Sequence, residues 1–312
     1  MLLSEKNLTI IITTFKSEKI VDDCILSVDE KYPIIVVENS DNISFKKNIE
    51  DKFKNVRCHL LGKNLGYTQA NNTGIKLANT NFVYIINPDV RLEKDTIENL
   101  SFELENLKDF SIASPLETTS LENRNFGFFK KKQRDWRMDV NFRYDRLKKN
   151  HPAFNKKELN LTPLEVDYVD GFSMLINKSK FRDNHFFDEN IFIYLENNDL
   201  CKRALEKGEK IFLIPKSQIK HLGGKSHQNE FIEEMELSRN WHWMWSTFYF
   251  NKKHYGYFSA LSKTYIIFLK AILKFLFYSI LFNKKKKIYQ MRFSGLLNAM
   301  LGKSSWYRPK IK

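Results

Sequence analysis

The chain has 312 residues, 42% of them apolar, enough for one large α/β domain with an appendage or for two small domains. No stretch has the composition of a disordered tail. The three widely spaced cysteines, Cys24, Cys58 and Cys201, fit neither a disulfide framework nor a zinc cluster and suit a reducing cytosol. The N-terminus shows no basic region followed by an apolar run, so we expect no secretory signal.

The net charge of +14 comes from the end of the chain. Residues 251–312 hold 14 of the 51 lysines and arginines and no acidic residue, which leaves 37 basic residues to balance the 37 acidic ones elsewhere. A basic region can meet nucleic acid or anionic lipid. Because this region is also rich in apolar side chains and no nucleic-acid module precedes it, we expect an anionic membrane surface and no nucleic acid as its partner.

Short apolar runs alternate with amphipathic segments in the first hundred residues. Runs rich in β-branched residues predict buried strands at Leu8–Ile12 and Ile34–Val37, and Val56–Leu61 and Phe82–Ile86 are interpreted as two further strands. Helical spacing predicts helices at Val21–Val28 and Thr68–Ala78. This alternation indicates an α/β fold, a Rossmann-like and mostly parallel sheet with helices on both faces.

Polar clusters follow three of these predicted strands. They are Thr13-Thr14, Glu38-Asn39 and Asn87-Pro88-Asp89. In parallel sheets, ligands bind where the strands end at their carboxyl edge. We therefore expect the three clusters to line one crevice.

The second half of the chain is less regular. Phe126–Lys149 is aromatic and basic with weak periodicity, and we interpret it as a long loop or irregular helix over the site. Val166–Ile176 has a strand-like pattern, and Leu200–Lys207 reads as a helix with Gly208 as its C-cap. From Trp241 onward the composition becomes aromatic and apolar with interspersed lysines, so we place a boundary near residue 240.

Two segments carry groups that suit a cation and a diphosphate. Asp89 at a strand end is a carboxylate through which Mg²⁺ or Mn²⁺ could reach a diphosphate, although Asn-Pro-Asp is also a common turn. The segment 221–227 combines His221, a Gly-Gly turn and Lys225, which could contact phosphate oxygens. A solvated turn histidine is the alternative interpretation.

Two further segments lie at predicted helix starts. Glu196-Asn197-Asn198-Asp199 offers ordinary capping residues, or a carboxylate that takes a proton from a hydroxyl group. Asn64-Leu65-Gly66-Tyr67, followed by Asn71, reads as a turn that leads into a helix.

Seven segments together resemble family 2 glycosyltransferases of the GT-A fold, most closely their bacterial rhamnosyltransferase-like branch. They occur in the family's order and span roughly residues 8–230: Leu8–Phe15, Val36–Asn42, Asn64–Ile75, Asn87–Asp89, Asp170–Leu175, Phe187–Arg203 and His221–Ser226. Seven motifs in order are far more specific than any one of them.

The resemblance implies inverting transfer of a sugar from a nucleotide-diphosphate donor to a hydroxyl of a glycan or lipid-linked glycan acceptor. Rhamnose from dTDP-rhamnose is one candidate donor, and cell-surface polysaccharide synthesis is the implied setting. Residues 1–240 would form the catalytic domain and residues 241–312 a helical, membrane-associating region. We then expect a cytoplasmic protein, peripheral on the inner face of the cell membrane, that uses Mg²⁺ or Mn²⁺.

Carried over residue by residue, the resemblance assigns site roles. The nucleotide-sugar pocket would be lined by Thr13, Phe15, Glu38, Asn64, Gly66, Asn71 and Asn87, with Lys225 near the diphosphate. Asp89 would hold the metal, and His221 would complete its ligand shell. Glu196 would be the base, and Asp199 is the second candidate.

Two residues depart from the family pattern. Glu38 stands where Asp is usual, which adds a methylene and alters base or ribose recognition. Asn197 replaces an Asp that often follows the Glu, and an amide cannot accept the proton. Asn197 also keeps open a different function, a non-catalytic nucleotide-sugar-binding protein of the same fold.

The apolar segment Tyr265–Phe282 has three interpretations. It is interrupted by Lys270 and Lys274 and followed by Lys284–Lys287. Two lysines on one helical face are costly in a membrane-spanning helix but suit an interfacial helix with its lysines at the headgroups. A buried core or dimer helix is the third possibility.

Overall fold

The computed structural model describes residues 2–107, 109–118, 162–181, 183, 185–222 and 231–309, and the backbone of residues 128 and 129. Its contacts divide the chain into two units. The first comprises residues 1–187 and 197–227, and the second comprises residues 188–196 and 228–312. Lys225, and Phe126–Lys149 apart from the two backbone residues, lie outside the described part.

Nine strands of the described chain form one mixed sheet in the first unit. All strands, in chain order, are β1 (Leu8–Thr14), β2 (Ile34–Glu38), β3 (Val56–Leu60), β4 (Phe82–Ile86), β5 (Val90–Leu92), β6 (Ile112–Glu117), β7 (Phe128–Phe129), β8 (Leu164–Glu165), β9 (Tyr168–Val169), β10 (Ser173–Asn177) and β11 (Ile211–His221). The sheet order is β3-β2-β1-β4-β10-β6-β11-β5, with β8 also on β11, while β7 and β9 pair separately.

The strands that carry the predicted polar clusters end at the same edge of the sheet. β1 pairs in parallel with β2, which places Thr14 opposite Glu38. β1 also pairs in parallel with β4, with Ile12 opposite Ile86. β10 is inserted antiparallel between β4 and β6. The predicted fold, a mostly parallel sheet flanked by helices, is confirmed, with β10 as an antiparallel insertion.

Helices cover both faces of this sheet. The chain places α1 (Val21–Leu26), α2 (Ile43–Lys52), α3 (Tyr67–Leu77), α4 (Thr96–Leu107), a 3₁₀ turn (Lys178–Lys180) and α5 (Glu196–Glu206) between strands. Alternate residues of each strand point to opposite faces, so Ile10 and Ile12 pack with α1, α2 and α4. Ile11, between them, packs with α3 and α5.

A glycine allows α3 to approach the sheet closely. A Cβ atom on Gly74 would lie 2.6 Å from Ile11 Cγ2 and 3.3 Å from Val37 Cγ2. Real Cβ atoms do not approach other atoms to 2.6 Å, so any larger residue would push α3 away from β1.

Most predicted elements of the first unit lie within about two residues of their observed bounds. The strand-like stretch Val166–Ile176 instead contains two strands, β9 and β10, separated by a turn. The helix predicted at Leu200–Lys207 begins four residues earlier, at Glu196. Gly208 ends this helix with φ +80°, and its N–H donates to Leu205 O (3.0 Å), as expected for a C-cap.

The second unit contains three long helices. They are α6 (Ile232–Tyr255), α7 (Tyr257–Ile280) and α8 (Lys285–Met300). Their shared core contains Trp241, Met244, Trp245, Phe248, Ala260, Leu296 and Ala299. A Cβ atom on Gly295 would clash with the carbonyl oxygen of Trp241, so this glycine permits the close approach of α8 to α6. Of the helices that the structure describes, none combines the length and apolarity that crossing a membrane requires.

Candidate functional site

Glu38, at the end of β2, is held by two hydroxyl groups. Thr14 Oγ1 donates to Glu38 Oε2 (2.6 Å), and Ser40 Oγ donates to Oε1 (2.6 Å). Only 2% of Glu38 is exposed, and burial raises the pKa of its carboxyl group despite these two donors. The side chain is therefore fixed at the sheet edge by Thr14 and Ser40, two partners that the sequence motifs did not indicate.

Thr13, on the same edge, is connected to α3. Its Oγ1 donates to Asn71 Oδ1 (3.0 Å), and Asn71 Nδ2 donates to Tyr67 O (2.9 Å). Thr13 and Asn71 are both buried. The structure thus brings together two predicted pocket residues that are 58 positions apart in the chain.

The turn before α3 lies beside the same strand ends. Gly66 has φ +92°, a left-handed conformation that favours glycine, and its N–H donates to Asn64 Oδ1 (3.1 Å). The N–H of Leu65 donates to Asn39 Oδ1 (3.2 Å), and Asn39 follows β2. Phe15, directly after β1, is half-buried. Asn64, Gly66 and Phe15 therefore belong to the loops at this edge.

Asp89 and His221 lie next to each other after β4 and at the end of β11. Asp89 is completely buried, and its Oδ1 lies 3.4 Å from His221 Nε2. The pairing of β11 with β5 places His221 opposite Val90. The His221 ring also stacks on Phe172, with ring centroids 4.2 Å apart. Phe172 was not among the predicted site residues, although it lies in Asp170–Leu175, one of the seven segments that resemble the family.

The donor set around Asp89 suits a hard divalent cation. Among the described residues, Asn87 Oδ1 is buried without a hydrogen-bond partner, an unusual condition for an amide oxygen. A carboxylate, an amide oxygen and an imidazole are groups that bind Mn²⁺ or Mg²⁺. In the described ranges no group of three or more His, Cys, Asp and Glu side chains is placed to bind a metal, so substrate oxygens and water would have to supply the other ligands.

Glu196 begins α5 and follows two strained residues. Tyr194 and Leu195 have φ angles of +73° and +69°. The left-handed conformation costs a residue with a large side chain about 1–2 kcal/mol, and such strain often marks functional sites. Glu196 is 6% exposed. Burial raises the pKa of Tyr194 to about 12, and the nearby negative charge of Glu196 adds to the rise.

Asp199 and Asn197, on the first turns of α5, have structural contacts in the first unit. Asp199 is completely buried, and its Oδ2 lies 2.9 Å from Arg203 Nε. Arg203 also donates to the carbonyl oxygens of His185 and Phe186. Asn197 Nδ2 donates to Val169 O (2.7 Å). The spacing of four residues between Asp199 and Arg203 is a sequence signal that could have identified this ion pair.

Phe187, the last residue of the first unit before Asp188, is held by α3. Asn72 Nδ2 donates to Phe187 O (2.9 Å), and the N–H of Phe187 donates to Asn72 Oδ1 (3.0 Å). The nitrogen and the oxygen of the Asn72 amide therefore both form hydrogen bonds with the backbone of Phe187. Asn72 belongs to the motif that begins α3, but its partner 115 residues away could not be identified from that motif.

Comparison with known proteins gives the family of the chain. The family model described as glycosyl transferase family 2 matches residues 9–184, more than half of the chain. A low-salt glycan biosynthesis hexosyltransferase, Agl10 of Haloferax volcanii, is 28% identical over 202 residues, which are 64% of this chain and 61% of that protein. The dTDP-rhamnosyl transferase RfbF of Shigella flexneri is 23% identical over 225 residues, which are 71% of this chain and 66% of that protein. The matches thus span less than two thirds of the length of each relative.

A solved structure shares the fold. The mannosyltransferase PcManGT from Pyrobaculum calidifontis, in complex with GDP-Man and Mn²⁺, has a TM-score of 0.51 and 11% sequence identity. The match covers 95% of this chain and 88% of the other. At this identity the likeness establishes the fold alone.

Proposed function

The chain belongs to glycosyl transferase family 2, and from this membership we propose that it transfers a sugar from a nucleotide-diphosphate donor to a hydroxyl group of an acceptor. One observation carries the proposal: the buried Asp89 carboxylate, which follows β4, lies 3.4 Å from the His221 imidazole at the end of β11. β4 pairs with β1, which holds Thr13, and β1 pairs in turn with β2, which holds Glu38. This edge of the sheet is where a nucleotide and its diphosphate would bind.

We assign the donor to residues of the first unit. Thr13, Phe15, Asn64 and Asn71 would contact the nucleoside, and the hydroxyl-bound Glu38 would orient the strand ends beside it. Asp89, His221 and Asn87 would hold Mg²⁺ or Mn²⁺. The cation, when bound, would neutralise the charge that develops on the departing diphosphate. Lys225 would add a positive charge to the phosphate side.

In the proposed reaction, Glu196 acts on the acceptor. Its carboxylate takes the proton of the acceptor hydroxyl as the hydroxyl oxygen attacks the anomeric carbon. The bond from that carbon to the diphosphate oxygen breaks, and the nucleoside diphosphate leaves with the electron pair. In-line attack inverts the anomeric configuration. Asp199 is the weaker candidate for the base because it lies within 2.9 Å of the Arg203 guanidinium.

The name of the Shigella flexneri relative suggests dTDP-rhamnose as the first donor to test. We propose a glycan or lipid-linked glycan acceptor in cell-surface polysaccharide synthesis. The test is a panel of nucleotide sugars that includes dTDP-rhamnose, incubated with Mn²⁺, Mg²⁺ or EDTA, with nucleoside diphosphate release and glycan transfer as readouts. Metal-dependent turnover of one donor is the expected result. A protein that binds a donor tightly yet never turns it over would instead be the non-catalytic sugar-nucleotide-binding protein that Asn197 keeps open.

The second unit supports a membrane partner. Along α7, exposed apolar residues recur every three or four positions and so form one stripe, which consists of Tyr265, Ile266, Leu269, Leu273, Leu276, Phe277 and Ile280. Lys270 and Lys274 are exposed beside the stripe, and Lys284–Lys287 follow the helix. Apolar residues flanked by lysines, in a region without acidic side chains, complement an anionic lipid surface. We therefore propose that residues 241–312 bind the inner face of the cell membrane from the cytoplasm.

Vesicle binding tests this part of the proposal. Wild-type protein should co-sediment with phosphatidylglycerol vesicles and less with phosphatidylcholine vesicles. Changing Leu273 and Phe277 to Gln should abolish this binding, whereas Leu26→Gln, on an exposed residue of α1, should not. Gln at Lys284–Lys287 should weaken binding by roughly 10²–10³-fold at low salt, because each lysine contributes about 1 kcal/mol. If the Gln variants in the stripe changed only the dimerisation constant of the protein and not its binding to vesicles, this result would contradict a lipid partner.

A further inference from the structure

The loop that ends at Glu196, the proposed base, belongs to the same unit as the C-terminal helices. Residues 188–196, here called the base loop, belong to the second unit together with residues 228–312. The base loop ends at Glu196, and its last two residues before Glu196 have positive φ angles. Residues in such strained conformations keep them only when surrounding contacts hold them firmly. The contacts of the base loop therefore hold the backbone that leads to Glu196 in this conformation.

Asp188, the first residue of the base loop, is hydrogen-bonded to α6. Its Oδ2 accepts hydrogen bonds from Tyr249 Oη (2.9 Å) and Lys253 Nζ (2.7 Å). Its Oδ1 accepts from the backbone N–H (3.0 Å) and Nδ2 (2.9 Å) of Asn190. Burial alone would raise the pKa of Asp188, but the Lys253 ammonium and the Asn190 donors lower it below its ordinary value. Asp188 is thus a charged anchor at neutral pH.

The middle of the base loop is held by aromatic stacking and one hydrogen bond. The ring of Phe192 stacks on His242 of α6, with centroids 4.3 Å apart and planes 19° from parallel. The guanidinium carbon of Arg308 lies 4.0 Å from the Phe192 centroid, a cation–π distance. Ser246 Oγ donates to Ile193 O (2.9 Å). The next residue, Tyr194, packs edge-on against another aromatic ring of α6.

His242 is in turn fixed by residues near the end of the chain. Its Nε2 lies 2.9 Å from Tyr307 O, and its Nδ1 lies 2.9 Å from Ser305 Oγ. Burial lowers the pKa of His242 to about 3, so the ring is neutral at pH 7. A neutral imidazole has one donor and one acceptor nitrogen, which match a carbonyl acceptor and a hydroxyl donor. Trp245 Nε1 also donates to Lys303 O (2.9 Å), which ties this segment to α6.

We propose that Lys303–Arg308, here called the C-terminal segment, is a positioning element for the glycosyl-transfer base. It holds Phe192 through Arg308 and His242, and thereby fixes the backbone that presents Glu196 to the acceptor. The proposal rests on Glu196 being the base of the proposed function, so its test must separate the two ideas.

The test compares Arg308→Ala with Arg292→Ala in the full-length protein. Arg292 is an arginine of the same unit whose Nε donates to Asn240 Oδ1 (2.6 Å) instead of contacting the base loop. Hydrogen exchange of peptides covering residues 188–196 should become faster in Arg308→Ala only. Turnover should fall by about 10- to 100-fold, since small displacements of reacting groups cost this much, while KM for the donor stays within about twofold of wild type. Arg308→Lys, which retains the positive charge, should partly restore both measurements.

Each other outcome has a definite meaning. Faster exchange in the base loop with unchanged turnover would overturn the positioning role, and lower turnover without faster exchange would overturn the route through the base loop. If exchange also increases in β1 and β4, the variant is generally destabilised, and Ser305→Ala replaces it under the same criteria. The assignment of Glu196 as the base fails separately if Glu196→Gln keeps full turnover in otherwise wild-type protein, and the proposed function fails if the wild type turns over no nucleotide sugar.

Discussion

Replacing Asp89 with Asn is the most direct test of the proposed metal site. The amide has nearly the same shape as the carboxylate, and the backbone contact from Leu222 N to Asp89 O (3.0 Å) does not depend on the side chain. Asp89 is completely buried, so the change removes a charge that is costly to bury. We therefore expect the metal-free variant to be at least as stable as the metal-free wild type, while metal binding and transfer are lost.

The size of the effect follows from the small number of protein ligands. Asp89 is the one acidic residue of the proposed set, beside His221 and Asn87. If its loss raises the Kd for Mn²⁺ 100-fold, then at 100 times the wild-type Kd the cation stabilises the wild type by about 2.7 kcal/mol and the variant by about 0.4 kcal/mol. For a chain of 312 residues the difference corresponds to roughly 3–5 °C in Tm. Loss of charge stabilisation in the transition state should lower turnover by about 10³-fold.

Thermal unfolding with and without Mn²⁺, together with a transfer assay, measures both effects. Asp51→Asn, which removes an exposed carboxylate of the same unit, should behave as wild type. Asp89→Asn should lose the Mn²⁺-dependent rise in Tm and nearly all transfer. Full transfer by Asp89→Asn, or wild-type transfer that is insensitive to EDTA, would refute the metal role.

Three further predictions concern single residues. Glu196→Gln should lower turnover by about 10²–10⁴-fold with little change in donor KM. Asp199→Asn should mainly reduce the free energy of unfolding, by about 3 kcal/mol, because it leaves the Arg203 charge without its carboxylate. If Asp199→Asn folds and has lower turnover than Glu196→Gln, Asp199 is the better candidate for the base. Gly74→Ala should cost about 1–3 kcal/mol in urea unfolding, since α3 must move away from β1, and an unchanged midpoint would contradict the close packing. His242 binds protons in the unfolded chain below pH 6.5 but in the folded protein only near pH 3, so the unfolding free energy should fall by about 2 kcal/mol from pH 7 to pH 5. His242→Gln should remove that part of the pH dependence, and the same slope in the variant would refute it.

The local sequence pattern was sufficient to predict the strands β1 to β4 and the helices α1 and α3 in the first unit. Apolar, β-branched runs predicted β1, β2 and β4 because a strand buried on both faces needs apolar residues at most positions. β3 instead alternates buried and exposed residues. The strand ends were predicted less closely: Thr13 and Thr14, which follow the apolar run, still belong to β1, whereas Asp89 does lie beyond the end of β4. The order of the motifs indicated the family of the chain, and the match to the family model over residues 9–184 confirms it.

Contacts between distant residues could not be predicted in this way. The antiparallel insertion of β10 between β4 and β6 depends on pairing across more than fifty residues, and no local pattern encodes a partner at that distance. The same limit applied to Asn72, whose amide holds Phe187.

The base loop shows most clearly what only the tertiary structure decided. The sequence by itself determined that Glu196 stands at a helix start among family-like residues. It did not indicate that Phe192 would stack on His242 or lie against Arg308, which are 50 and 116 positions away. Burial and charge at a residue depend on which distant side chains fold against it, and chain order does not specify them. For the same reason the pKa of His242, an ordinary histidine in the sequence, is set by the carbonyl, the hydroxyl and the core that surround it.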